Sequence, residues 1–217
     1  MTTAKILLAL SNLPIVVTAL YVSVVFKQLN KELIRLSYYI YFSLVIQIAS
    51  FTLSLLHINN MLFLHLNVYV SVGLLGWFYA EVFNGFINRR IIANVVVLFW
   101  LGCIIDIIIN NPFQRFNSML LTVQCVLMIT ISLFTFSFMM NGNIRILKKH
   151  LFDSLMWINS GIFIYFTSNI LLFFFNNTIT AMAVGTKMGS KMWVFHAFFI
   201  MVMYSCFFIG IWKRQRT

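Results

Sequence analysis

Seven apolar runs, each near the roughly 20 residues an α-helix needs to cross a ~30 Å hydrocarbon core, take up most of this chain. They are Ile6 to Phe26, Leu36 to Leu56, Met61 to Val82, Ile91 to Ile109, Met119 to Met139, Leu155 to Phe175 and Trp193 to Ile211. Lipid offers the backbone no hydrogen-bond partners, so runs of this kind close their bonds internally as helices. The predicted class is all-α integral membrane: a seven-transmembrane-helix bundle with spans at about 6–26, 36–56, 61–82, 91–109, 119–139, 155–175 and 193–211. Only short loops separate the runs, so residues 1–217 are expected to form a single transmembrane domain with no soluble domain. Composition agrees, with 9% charged residues against roughly 25% in soluble domains.

The first run follows Lys5 and has the outline of a signal peptide. Ser11, Asn12 and Pro14 interrupt it and no small-x-small cleavage site follows, and its length exceeds the roughly 7 to 15 residues of a signal's apolar core. It is read as a spanning helix kinked near Pro14. Lys27, Lys31, Arg35, Arg89, Arg90, Arg145, Lys148, Lys149, Lys213, Arg214 and Arg216 fall on one side of the bundle, against Lys5, Arg115, Lys187 and Lys191 on the other. Basic residues accumulate on the cytoplasmic side, which predicts an external amino terminus, a cytoplasmic carboxyl terminus and a multi-pass protein of the cell inner (plasma) membrane.

A net charge of +11 raises the question of nucleic acid, but the basic residues are scattered over loop ends with no folded domain to present them. The expected partners are the lipid bilayer and the anionic lipids of its cytoplasmic face. Cys103, Cys125 and Cys206 all fall inside predicted spans without a CxxC spacing, which suits packing better than a disulfide framework or metal set.

Two tetrads match, Ile40-Tyr41-Phe42-Ser43 and Ile164-Tyr165-Phe166-Thr167, and each precedes a helix with a histidine near its start, His65 or His196. This pattern suggests a three-plus-one-plus-three duplication, with chance matching in an Ile- and Phe-rich chain as the competing account. Gly73, Gly76 and Ala80 on the third helix, and Gly161 and Ser168 on the sixth, form small-residue stripes that let helices approach closely in lipid. The tryptophans near helix ends are read as interfacial belt residues rather than as a stacking platform. Residues 140–154 have the composition of an amphipathic surface segment or a solvated turn. Residues 176–191 are expected to form the longest loop on the opposite side, with Gly185 and Gly189 allowing it to gate a pocket.

Polar side chains inside the spans carry the functional argument, because they are expensive at membrane depth and face the interior. Gln47, His65, Asn67, Asp106, Gln124, Asn169 and His196 all fall in the half of the bundle opposite the basic side. They are expected to form either a ligand or proton site or a set of interhelical hydrogen bonds, and the residues alone leave both open. Histidine titrates near neutral pH and responds to a neighbouring carboxylate, so Asp106 with His65 and His196 is the core of the proton-site reading. Glu81 lies at the other end of the third helix, with Asn84, Arg89 and Arg90 close in sequence; it is read as a snorkelling carboxylate or as a cytoplasmic latch reaching Asn159 on the sixth helix.

Catalysis has little footing. There is no GxSxG elbow and no HExxH or HxxxH pair on one helix, and Lys213 lies too close to the end of the last helix for a mid-membrane Schiff base. No cofactor and no metal are expected.

The stretch Trp157-Ile158-Asn159-Ser160-Gly161-Ile162-Phe163-Ile164-Tyr165-Phe166-Thr167-Ser168-Asn169, with Glu81 late in the third helix and Trp193-Val194-Phe195-His196 opening the seventh, resembles a family of small seven-helix inner-membrane proteins of Bacteroidota. That resemblance implies sensing or signalling. The leading expectation is a non-catalytic, sensor-like or accessory subunit that works with a membrane or cytoplasmic protein. A transporter of a small polar solute is the alternative, and an intramembrane lipid-modifying enzyme the second alternative.

Overall fold

The computed structural model describes residues 10–56, 58–110, 117–140, 149–181 and 185–214, the side chains of 110 and 175–192 excepted. Among the described residues the chain consists of helices joined by short turns, with no strand. The helices are α1 (Leu13–Val25), α2 (Lys31–Leu55), α3 (Met61–Val82), α4 (Arg89–Asn110), α5 (Ser118–Met140), α6 (Phe152–Ala181) and α7 (Gly185–Arg214). Six of them, α2 to α7, are long and apolar enough to cross a bilayer, and α1 is a shorter apolar helix. The chain is a multi-pass helical membrane protein.

Local sequence explains the boundaries. Pro14 stands in the first turn of α1, where its missing N–H is no loss, and Ser11 and Asn12 form a turn just before it. A 3₁₀ turn, Phe26–Gln28, carries α1 towards α2. The turn joining α3 to α4 places Gly85 at φ 94°, a region open to glycine at no steric cost.

Several helices run past their apolar cores. Lys31 to Arg35 are already helical, so α2 begins five residues before its apolar run. The expected loop over residues 176–191 is corrected: α6 continues to Ala181 and α7 begins at Gly185. The segment has no proline, and a polar sequence ends membrane burial without ending a helix, so Gly185 and Gly189 belong to the start of α7 rather than to a gating loop. Most of the 140–154 segment lies outside the described residues, and Lys149–Leu151 form a 3₁₀ turn leading into α6. The orientation residues Lys5, Arg115, Arg145, Lys148 and Arg216, and the side chains of Lys187 and Lys191, also lie outside them.

The chain divides into two compact units, residues 1–21 with 121–217, and residues 22–120. In the first, α6 and α7 pack at backbone distance. A Cβ on Gly161 would stand 2.8 Å from Cβ of Cys206, and one on Gly210 would stand 2.9 Å from the Ser154 carbonyl oxygen. α1 joins this unit through Thr18, whose hydroxyl donates to the carbonyls of Pro14 (2.6 Å) and Tyr204 (3.2 Å), and through the Tyr21 and Phe208 rings, 5.1 Å apart.

In the second unit, the small-residue stripe of α3 faces α4: Gly73 lies under the Trp100 indole and Gly76 under Val96. Trp100 stands mid-helix and donates its Nε1–H to the Tyr69 carbonyl at 3.0 Å. An indole N–H at that depth needs an acceptor, and the absence of a Cβ on Gly73 lets the ring reach one. Cys103, Cys125 and Cys206 are buried and free.

Candidate functional site

The densest concentration of charge among the described residues lies where α2 begins and α3 ends. Glu81, with 5% of its side chain exposed, meets Arg35 at 2.6 Å and Arg89 at 3.1 Å. Asn84 donates to the same carboxylate at 3.3 Å, and a second Arg89 contact reaches its other oxygen at 3.1 Å. Hairpin arithmetic produces the main pair. Arg35 stands 20 positions before Leu55 at the end of α2, and Glu81 stands 20 after Met61 at the start of α3. Two antiparallel helices joined by a short turn bring such positions level. Gly85 then turns the chain so that Arg89, the first residue of α4, returns to the same carboxylate.

Arg35 is held on three sides. Its Nη2 meets Glu81, its Nη1 donates to the Trp77 carbonyl at 3.1 Å, and its guanidinium lies 4.9 Å above the centre of the Trp77 ring. Tyr38 stacks on the same indole, centroids 5.7 Å apart and planes within 11°. Trp77 is therefore a stacking platform for a cation as well as an aromatic near a helix end. A buried carboxylate is tolerated because two guanidiniums and an amide replace its water, and the cluster joins α2, α3 and α4 through one acidic side chain.

The residues expected to gather in the opposite half fall in both units. Gln47, His65, Asn67 and Asp106 belong to residues 22–120, and Gln124, Asn169 and His196 to the other unit. Asp106 accepts a hydrogen bond from Nδ2 of Asn117, whose Oδ1 accepts from the Leu120 amide at 3.0 Å. Asn117 is the N-cap of α5, so Asp106 braces a cap. Asn67 accepts from the Ser71 hydroxyl at 3.2 Å, and the buried His65 ring lies 6.3 Å from Tyr69.

Asn169, fully buried, donates Nδ2 to the Tyr165 carbonyl at 2.7 Å and places its Oδ1 2.8 Å from Nδ1 of His196. With the amide in that orientation, Nδ1 of His196 carries the proton and donates, and Phe173, Tyr165 and Trp193 surround the ring at 5.5 to 5.7 Å. Gln124 is buried. Gln47 Oε1 and, one turn earlier, Ser43 Oγ are buried without a hydrogen-bond partner among the described residues. For the expected latch, Glu81 and Arg89 are in contact, Arg90 is exposed, and Asn159 donates to the Ser132 carbonyl at 3.0 Å, tying α6 to α5.

Sequence reasoning missed Arg35. It stands just before the apolar run of α2 and was counted with the orientation charges; the equal spacing of Arg35 and Glu81 from the α2–α3 turn is the signal that finds it. The reading of Trp77 as a belt residue rather than a stacking platform is corrected as well, because Arg35 and Tyr38 of α2 lie against its ring. No family model, no curated protein and no solved structure matches this chain.

Proposed function

We propose that the chain is a non-catalytic, sensor-like or accessory membrane protein that works with a partner protein in the inner membrane, its amino terminus outside and its carboxyl terminus cytoplasmic. The observation that carries this reading is the buried Arg35–Glu81–Arg89 cluster. Ionised groups at membrane depth are costly and mark working sites, and this one ties three helices together at the end where a cytoplasmic partner would dock. In this reading the polar side chains within each unit, Asn169 with His196 in one and Asp106 in the other, receive a small polar ligand or a proton. The Glu81 cluster is the element whose opening a partner reads.

The test is affinity purification of the full chain from native membranes, wild type beside Glu81→Gln. A partner recovered with the wild type and diminished several-fold with the variant supports the reading. Recovery of the chain alone in both cases removes its basis.

Transport of a small polar solute is the second reading, favoured by the buried oxygens of Ser43 and Gln47, which have no hydrogen-bond partner among the described residues. Single cysteines at those positions, labelled by impermeant reagents from each side in turn, discriminate. Reaction from both sides is the alternating-access result, and reaction from one side alone argues against transport.

A further inference from the structure

α3 and α4 do not close against each other along their whole length. Between them lies a groove of about 650 Å³, open to the surroundings and lined by Tyr69, Gly73, Trp77, Trp100, Cys103 and Ile107 among others. Trp100, spanning from α4 to the Tyr69 carbonyl over the bare backbone of Gly73, forms a wall of this groove. The eight positions from Tyr69 to Trp77 correspond to about 12 Å along the helix axis, a length suited to part of one extended acyl chain. Its apolar lining would satisfy hydrocarbon and nothing polar.

The groove is continuous with the charged end of the same unit. Trp77 lines it and also carries Arg35, and one turn further along α3 is Glu81 with Arg89. At this end stand Lys27, Lys31, Arg35, Arg89 and Arg90 against Glu32 and Glu81. Basic charge is thus in excess after the buried pairs are formed. Arg90 is exposed, and Arg89, with 48% of its side chain exposed, approaches Glu81 through Nη2.

We propose that this surface is a binding site for one anionic glycerophospholipid, with an acyl chain in the α3–α4 groove and the phosphate held by Arg90 and the exposed side of Arg89. Charge complementarity selects the occupant. A second transmembrane helix would fill the groove but leave the basic excess unanswered, and a zwitterionic lipid would answer only part of it. Aromatic rings at headgroup level, here Trp77 and Tyr38, anchor at the membrane interface, and basic side chains there attract anionic lipid. The inference rests on the spanning helices alone, so it stands or falls separately from the accessory role and from the orientation of the chain.

Native mass spectrometry of the full-length protein in mild detergent, titrated with dioleoyl phosphatidylglycerol or dioleoyl phosphatidylcholine, tests it. One tightly retained phosphatidylglycerol per chain is expected, with a preference over phosphatidylcholine of up to about 25-fold, from two basic groups at roughly fivefold each. Arg90→Ala, outside the Glu81 cluster, should weaken phosphatidylglycerol by about fivefold and phosphatidylcholine by less. Ile104→Trp, placed on an exposed face bordering the groove, should weaken both by obstructing the acyl chain. Equal affinity for the two lipids would overturn the proposal, as would a phosphatidylglycerol affinity untouched by Ile104→Trp, which would mean diffuse attraction to the basic end. Protein dimers abolished by Ile104→Trp, with no retained lipid, would give the groove to a second copy and overturn it as well.

Discussion

Glu81 and Arg35 show how two residues of modest sequence signal become a dominant energetic feature. Breaking a buried pair by removing one partner leaves an uncompensated charge and costs about 3–5 kcal/mol, whereas replacing both by apolar groups is often neutral. Glu81→Leu and Arg35→Leu should therefore each lower the melting temperature in detergent by many degrees, and the double variant should recover most of the loss. An additive double loss would show that the two side chains do not act as a pair. Arg89→Ala should cost about 1 kcal/mol or less, because half of that side chain is already exposed. Gln47 gives the opposite sign. Its buried Oε1 has no partner among the described residues, so Gln47→Leu should leave stability unchanged or raise it by about 1 kcal/mol; a marked fall in melting temperature would mean that the amide is satisfied in the native protein.

At the scale of the element, the positions of small residues decide which helices can touch. Gly210 meets the Ser154 backbone at 2.9 Å from an added Cβ, and Gly102 meets nothing within 4 Å. Gly210→Ala should destabilise by a few kcal/mol, because a backbone carbonyl cannot rotate aside as a side chain can. Gly102→Ala should be neutral or stabilising by up to about 1 kcal/mol through helix propensity. Thermal unfolding of the two variants in one detergent checks the contrast, and equal effects would argue against the close α6–α7 crossing. The small-residue stripe on α3 was legible in the sequence; its target was not, since Trp100 and Val96 reach Gly73 and Gly76 only once α4 has folded back. The ends of α6 and α7 were misjudged for a different reason: hydropathy reports where a helix leaves lipid, and a helix can continue beyond that point.

For the whole molecule, the distribution of Lys and Arg predicts which side faces the cytoplasm. A fluorescent protein fused after Thr217 should fold and emit, and alkaline phosphatase fused there should be inactive; the reverse pattern would invert the orientation. The six helices long enough to cross a bilayer among the described residues were readable from apolar run length because lipid leaves the backbone no other way to satisfy its hydrogen bonds. The first run, read as a seventh span, forms a shorter helix. The division into residues 22–120 and the remainder was not readable: it places α4 with α2 and α3, where the repeated tetrads suggested a linker. The candidate site divides in the same way. That Glu81 and Asp106 are exceptional follows from the sequence, since any carboxylate within an apolar run is. What each one does depends on partners distant in the chain or across a turn. Glu81 meets Arg35 through the registry of two helices, and Asp106 meets Asn117 at the start of the next one. Burial in lipid is a property of composition and is written locally, whereas the pairing of polar groups depends on helix register and packing, which only the tertiary structure fixes.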